Sequence, residues 1–420
     1  MKKVLIVAYY YPPVGGSGVL RTLKLTKYLP QFGFAPFVLT VRNRSVGMLD
    51  PTLLEDVPQE VKVTATLSAE HRFLRAPRLL GVNPKWFLVP DVHIGWLPFA
   101  LRYGEGIIRK EGIDIIFATT PVLTSLLVGY LLKKRTGRPL VLDFRDPWTQ
   151  DAFATFPTRL HQKLEEKMES LVLQSADHVV ATTKEMTQGL IAKYPFMRGR
   201  CETITNGFDS SDFCGLNRSA SPDRFTITYA GSLYGLRSAR HFLAALRNLV
   251  RKNRELHNNV RVVFVGRKDK EALRLVQKLQ LKDVVEMTGF VAHRESLQLM
   301  MNADVLLLVM GQGEAVGNGS RTVMIPGKIF EYLAARRPIL ALAPPGEVSD
   351  LIRETGSGMV VPPEGIEAIE DAILKSFDRW RAGALNVAPC DVSAYERKAL
   401  TAKFVRVFES LCLGERRSIN

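Results

Sequence analysis

Lys328 and Glu331 stand three residues apart at the start of a predicted helix, close enough on one face to act on a single ligand. A lysine ammonium suits a phosphate. A carboxylate accepts through two oxygens and suits neighbouring hydroxyls such as those of a ribose. Ahead of them, Asp304 to Val309 has the composition of a buried parallel strand, and then Gly311, Gly313, Gly317 and Gly319 fall within nine residues. Such a loop lets bare backbone approach a ligand, and Pro326-Gly327 suits the first turn of a helix beginning near Lys328. Opening amides of a helix carry partial positive charge and attract phosphate. The same spacing also fits a surface ion pair contributing only about 0.2 to 0.5 kcal/mol. Spacing alone leaves both readings open.

The string from Pro326 to Ala341, P-G-K-I-F-E-Y-L-A-A-R-R-P-I-L-A, resembles the donor-site segment of family 4 retaining glycosyltransferases. The resemblance implies that Glu331 binds a donor ribose, with Lys328 and Ile329 beside it. The family's second Glu, eight positions earlier, is replaced by Val323, and Glu314 or Arg321 in the same loop are the candidates to substitute for it.

The elements that position such a site follow the rhythm of a doubly wound sheet. An apolar run from Val4 to Ala8 leads through Gly15, Gly16 and Gly18 into a helix with Leu20, Leu23 and Leu25, and a second strand runs from Pro36 to Val41. G-x-G-x-x-R lacks the third glycine of a dinucleotide fingerprint. Y-Y-Y-P-P-V-G-G-S-G is instead similar to the opening of the same glycosyltransferases. The resemblance then turns Gly15, Gly16 and Gly18 toward donor phosphates, with charge from Arg21. Strands are expected at Ile113 to Ala118 and Leu140 to Phe144, the latter running into Asp143-Phe144-Arg145-Asp146-Pro147-Trp148. This corner reads either as an Asp–Arg pair bracing a turn or, by resemblance, as a cleft-facing group with Asp146 at the reaction. His93 is a structural histidine or, by resemblance, a residue beside the donor sugar.

Ile204 to Asp209 contains an N-G-x-D turn that resembles the family's close of its first domain. Phe225 to Ala230 restarts the α/β rhythm, followed by Gly231, Ser232 and Arg237. Ser232 stands where the family places an Arg, and Arg237 matches its second diphosphate contact. Gly289 matches the segment beside the nucleobase.

Composition bounds the function classes. At 420 residues, 46% hydrophobic and 24% charged, the chain suits two soluble globular domains. Cys201, Cys214, Cys390 and Cys412 have no C-x-x-C spacing, which argues against a disulfide framework or zinc site and for a reducing, cytoplasmic home. A formal charge of +15 invites an anionic partner, yet no recognition helix, zinc finger or RNP pattern supports nucleic acid. Residues 1 to 110 hold fifteen Lys/Arg against seven Asp/Glu. Between His71 and Arg109 the basic residues interleave with Phe73, Trp86, Phe87 and Trp96. That mixture suits either a peripheral contact with the inner membrane face, such as a lipid-linked acceptor would require, or an insertion packed on its own domain. No transmembrane segment is expected.

The resemblance implies an α/β protein of GT-B architecture, two Rossmann-like domains facing across a cleft. Residues 1–208 form the acceptor side, 209–390 bind the nucleotide sugar, and 391–420 cross back to the first domain. The expected activity is retaining transfer of a sugar from a nucleotide sugar to a glycan or lipid-linked acceptor in cell-surface polysaccharide synthesis. Arg237, Lys328, His93 and Asp146 are the expected catalytic residues. The nucleotide sugar is a co-substrate; neither metal nor cofactor is expected, there being no D-x-D at a strand end. A sugar-nucleotide epimerase of the same fold and a non-catalytic nucleotide-sugar-binding protein are the alternatives.

Overall fold

A computed structural model describes residues 1–42, 48–70, 84–150, 154–218, 223–233, 237–311, 324–387 and 390–417. Glu314, Arg321 and Val323 therefore lie outside the described residues, as does 71–83 of the basic, aromatic stretch. The chain divides into two compact units, Met1–Asn206 with Arg397–Asn420, and Gly207–Glu396.

In the first unit the strands are β1 (Lys2–Val7), β2 (Phe34–Val41), β3 (Lys62–Thr66), β4 (Ile115–Thr119), β5 (Leu140–Phe144), β6 (His178–Ala181) and β7 (Cys201–Thr203). They form one parallel sheet in the order β3-β2-β1-β4-β5-β6-β7. Successive residues of a strand point to opposite faces. Leu5 and Val7 accordingly join the core on one face, with Leu126, Val128 and Leu142, while Val4, Ile6 and Ala8 join the other. The helix Arg397–Arg417 covers that second face, where Phe404 and Phe408 pack on Phe117 with ring centroids 5.5 and 5.8 Å apart. Burial on both faces explains the near-continuous apolar runs of β1 and β4.

The second unit repeats the scheme. Its strands are β8 (Phe225–Ala230), β9 (Val260–Val265), β10 (Val285–Gly289), β11 (Val305–Val309), β12 (Ile339–Leu342) and β13 (Gly358–Val361), in the order β10-β9-β8-β11-β12-β13. All pairings are parallel. Val305, Leu307 and Val309 face one core, Leu306 and Leu308 the other. In both sheets the strand order reverses beside the first strand, and in such sheets ligands bind off the carboxyl ends at that point. Among the described residues no helix is long and apolar enough to cross a membrane.

Candidate functional site

The carboxyl ends of β8, β9 and β10 each carry a glycine, Gly231, Gly266 and Gly289. Gly231 has φ 120° and donates its N–H to Val265 O at 2.7 Å, and Gly266 N donates to Gly289 O at 3.0 Å. A Cβ on Gly266, whose φ is 137°, would fall 2.5 Å from Gly231 O, so this approach of two backbones admits no side chain. A shallow pocket beside them is lined by Gly231, Leu233, Gly266, Lys268 and Met287.

The helix Lys328–Ala335 delivers charge to this place. Lys328 Nζ lies 3.8 Å from the centroid of the Tyr229 ring, and a Cβ on Gly231 would come within 3.0 Å of it. Tyr332 fixes the helix: its hydroxyl accepts from Ala230 N at 2.9 Å and donates to Leu307 O at 3.1 Å, tying it to β8 and β11. Burial drives that phenol's pKa well up, so it stays a neutral donor. One turn after Lys328, Glu331 Oε1 sits 2.9 Å from His293 Nε2, at the head of the helix His293–Met301. Glu331 is thus no solvent-washed member of a surface pair: its side chain is 14% exposed and that of His293 18%. Ile329 is fully buried and its N–H donates to Pro326 O at 3.1 Å, while Phe330 N donates to Gly327 O at 3.2 Å. Two opening amides of the helix are therefore already engaged in a tight turn. Ser232 is half-buried and its carbonyl accepts from Tyr229 Oη at 3.1 Å; Arg237 is buried.

In the first unit, Gly16 has φ 96° and caps the helix Ser17–Tyr28. Gly15 N donates to Met48 O at 2.9 Å, and the Gly18 carbonyl accepts from Arg145 Nη1 at 2.5 Å. Arg21 does not reach out from this loop. It is 3% exposed and gives Asp143 Oδ1 a bond of 2.8 Å from Nη2, with Nε 3.0 Å from Oδ2. Nη1 donates to the carbonyl of Thr205 at 2.6 Å, and Nη2 also to that of Ile204 at 2.8 Å. Asp143 thus pairs across 122 positions with Arg21 and also accepts from Thr119 Oγ1 at 2.7 Å. Asp146 is half-buried, and its charge opposes the fall in Arg145 pKa that burial causes.

His93 belongs to a polar group that sequence spacing gave no means of assembling. Its Nδ1 lies 2.8 Å from Glu70 Oε1, which also accepts from the Tyr9 hydroxyl, and its Nε2 lies 3.4 Å from Tyr10 Oη. A carboxylate accepts only, so Nδ1 carries the proton of that bond. Burial first, and Glu70 second, push the Tyr9 pKa far up. Asp91 is the scaffold here: it accepts from His93 N at 2.9 Å and from Thr124 N at 2.9 Å. Of the basic, aromatic stretch, Trp96 and Leu88 belong to the buried core, whereas Trp86 and Phe87 are exposed.

Two family models match, "Glycosyltransferase Family 4" over residues 20–212 and "Glycosyl transferases group 1" over residues 224–379. The chain belongs to the family 4 glycosyltransferases, one model on each unit. It is 29% identical over 119 residues to WcaL of Salmonella typhimurium, whose name assigns it to colanic acid biosynthesis as a glycosyltransferase; the match spans 28% of each chain. Among solved structures it is similar to a sucrose-phosphate synthase of Thermosynechococcus elongatus, with TM-score 0.68 and 15% identity over 99% of this chain and 100% of that one. It is also similar to Anabaena HepE in complex with UDP, with TM-score 0.61 and 16% identity over 100% and 99% of the two chains. These likenesses fix the GT-B fold.

Proposed function

We propose that this chain moves a hexose from a nucleotide sugar to a glycan or lipid-linked acceptor, with retention at the anomeric carbon and without a metal, in cell-surface polysaccharide synthesis. The observation that carries this reading is Lys328 Nζ held over Gly231 and Tyr229, with Glu331 one turn further along the same anchored helix. The diphosphate is assigned to Gly231, Ser232, Arg237 and Lys328; Ile329, whose amide is bonded to Pro326 O, sets the turn that presents Lys328 rather than donating to the phosphate. The ribose goes to Glu331 and the base to the wall at Gly289 and Met287. Within the first unit, Gly15, Gly16 and Gly18 are proposed for phosphate contact and His93 and Asp146 for the reaction, as the family resemblance implies.

Departure of a nucleoside diphosphate builds negative charge on its phosphate oxygens. Cations already fixed at that place stabilise the transition state more than the ground state, which is what accelerates the step. Lys328, with Arg237 as the family resemblance implies, is assigned to supply them here, the role a metal ion would otherwise take. The UDP bound to HepE supports the donor class, and the colanic acid biosynthesis in WcaL's name supports the glycosyl-transfer reading.

A thermal-shift panel of UDP, GDP, ADP and TDP in excess EDTA tests the reading. One nucleotide is expected to raise Tm without added metal, since a ligand at one hundred times its Kd stabilises by about 2.7 kcal/mol. A shift, or a transfer rate with the matching sugar donor, that appears only after magnesium or manganese is restored refutes metal independence. Turnover of the donor with no acceptor present would mark an epimerase instead.

A further inference from the structure

The helix Arg159–Ser175 turns apolar side chains toward solvent. Leu160 is 75% exposed, Leu164 45% and Leu171 44%. At about 100° per residue these three fall within an arc of about 40°, opposite the buried Glu169, Val172 and Leu173. Arg159, Lys163 and Lys167, all exposed, run down one side of that arc, with the half-buried Glu166 behind them, bonded to Gln162 Nε2 at 3.1 Å. On the other side lies His161, against which Trp86 packs edge-on with ring centroids 5.7 Å apart. Trp86 is 48% exposed and the adjoining Phe87 70%. Scattered exposed apolar residues need no explanation, but three leucines on one arc of a helix, with an exposed tryptophan packed on the same helix at His161 and a basic row alongside, are not scattered.

We infer that this face docks on the surface of an anionic lipid bilayer, leucines, Trp86 and Phe87 entering the headgroup boundary and the three basic residues pairing with lipid phosphates. A helix with an apolar stripe beside a cationic one is suited to lie in the plane of such a surface. Charge also argues against a second copy of this chain as the occupant. A two-fold interface pairs the patch with itself, and an antiparallel pairing of this helix would set two rows of three like charges side by side. The excess of fifteen Lys/Arg over seven Asp/Glu in residues 1 to 110 favours the same kind of partner. The docking does not depend on which sugar is transferred, or on whether any is.

Vesicle co-sedimentation of the full chain tests it, with phosphatidylcholine alone and with phosphatidylglycerol added. Wild type is expected to bind only the anionic vesicles, less so as salt rises, and the Trp86 emission is expected to shift to the blue. Leu160→Glu with Leu164→Glu, and separately Lys163→Glu with Lys167→Glu, should each reduce partitioning at least about tenfold. Their circular dichroism and nucleotide thermal shifts should stay those of wild type, which separates loss of docking from misfolding and from failure of the donor assignment. Lack of wild-type binding, or undiminished binding by both variants, overturns the inference. So does a wild-type dimer in sedimentation velocity that the leucine variant dissociates while still binding vesicles, since the face would then belong to a second copy.

Discussion

Glu331 Oε1 lies 2.9 Å from His293 Nε2, so the carboxylate assigned to the donor ribose is held on one oxygen by a residue 38 positions away. The pair fixes the carboxylate's direction in a largely buried setting, which is worth more than the same bond in water. Glu331→Ala is expected to raise the Kd of the preferred nucleoside diphosphate at least about tenfold, because each bond to a charged acceptor contributes about 1.5 to 3 kcal/mol. Removing both ribose hydroxyls from the nucleotide should then cost the wild type affinity and the variant almost none. Calorimetric titration of both proteins with both nucleotides forms the cycle. Additive losses would move the ribose to another residue.

The buried Arg21–Asp143 pair gives the largest expected effect on stability. Its side chains are 2% and 0% exposed, so neither charge can be hydrated once the other is gone. Asp143→Asn should destabilise by about 3 to 5 kcal/mol in urea unfolding, and the double change Arg21→Met, Asp143→Leu by less than that single one. If Asp143→Asn costs under about 1 kcal/mol, the pair behaves as an exposed one would.

The Glu70–His93 contact predicts a tautomer. Nitrogen-15 spectra of wild type should show the His93 proton on Nδ1, and Glu70→Gln should change that pattern without lowering Tm much. His93→Ala should reduce transfer about tenfold or more, with Glu70→Gln between it and wild type. Wild-type rates in both variants would make this histidine structural.

Asp56 should shape the acid limb of stability. Burial alone would raise its pKa, but hydrogen bonds from Lys24 and Lys27 outweigh that and hold it below the ordinary 3.8. A carboxylate with a depressed folded value stabilises above its unfolded pKa and loses that contribution as pH falls through the folded value. Asp56→Asn should therefore have the lower Tm near pH 7, and the gap should close below about pH 3.8. A gap independent of pH would assign the effect to packing.

Local pattern was enough to predict the central strands of both halves and the helices that begin after Gly16 and near Lys328. β1, β2, β4, β5, β8 and β11 are apolar runs because both faces of each sheet are covered, and Pro326-Gly327 ahead of Lys328 starts a helix for reasons confined to that turn. The edge strands β3, β7 and β13 carry no such signal, since Lys62–Thr66, Cys201–Thr203 and Gly358–Val361 are short and partly exposed.

Partner choice was decided only in three dimensions. Arg21 was placeable on a loop from sequence, but its burial against Asp143, Ile204 and Thr205 depends on which strand ends the parallel order β1-β4-β5 brings side by side. Glu331 and Lys328 are helix neighbours by sequence. That one meets His293 and the other lies over Tyr229 follows from Tyr332, which bonds β8 and β11 at once and sets the rotation of the helix about its axis. Periodicity reports which face of an element is apolar. The identity of the group it meets depends on strand order and on the rotation at which each helix docks, and neither is a local property of the chain.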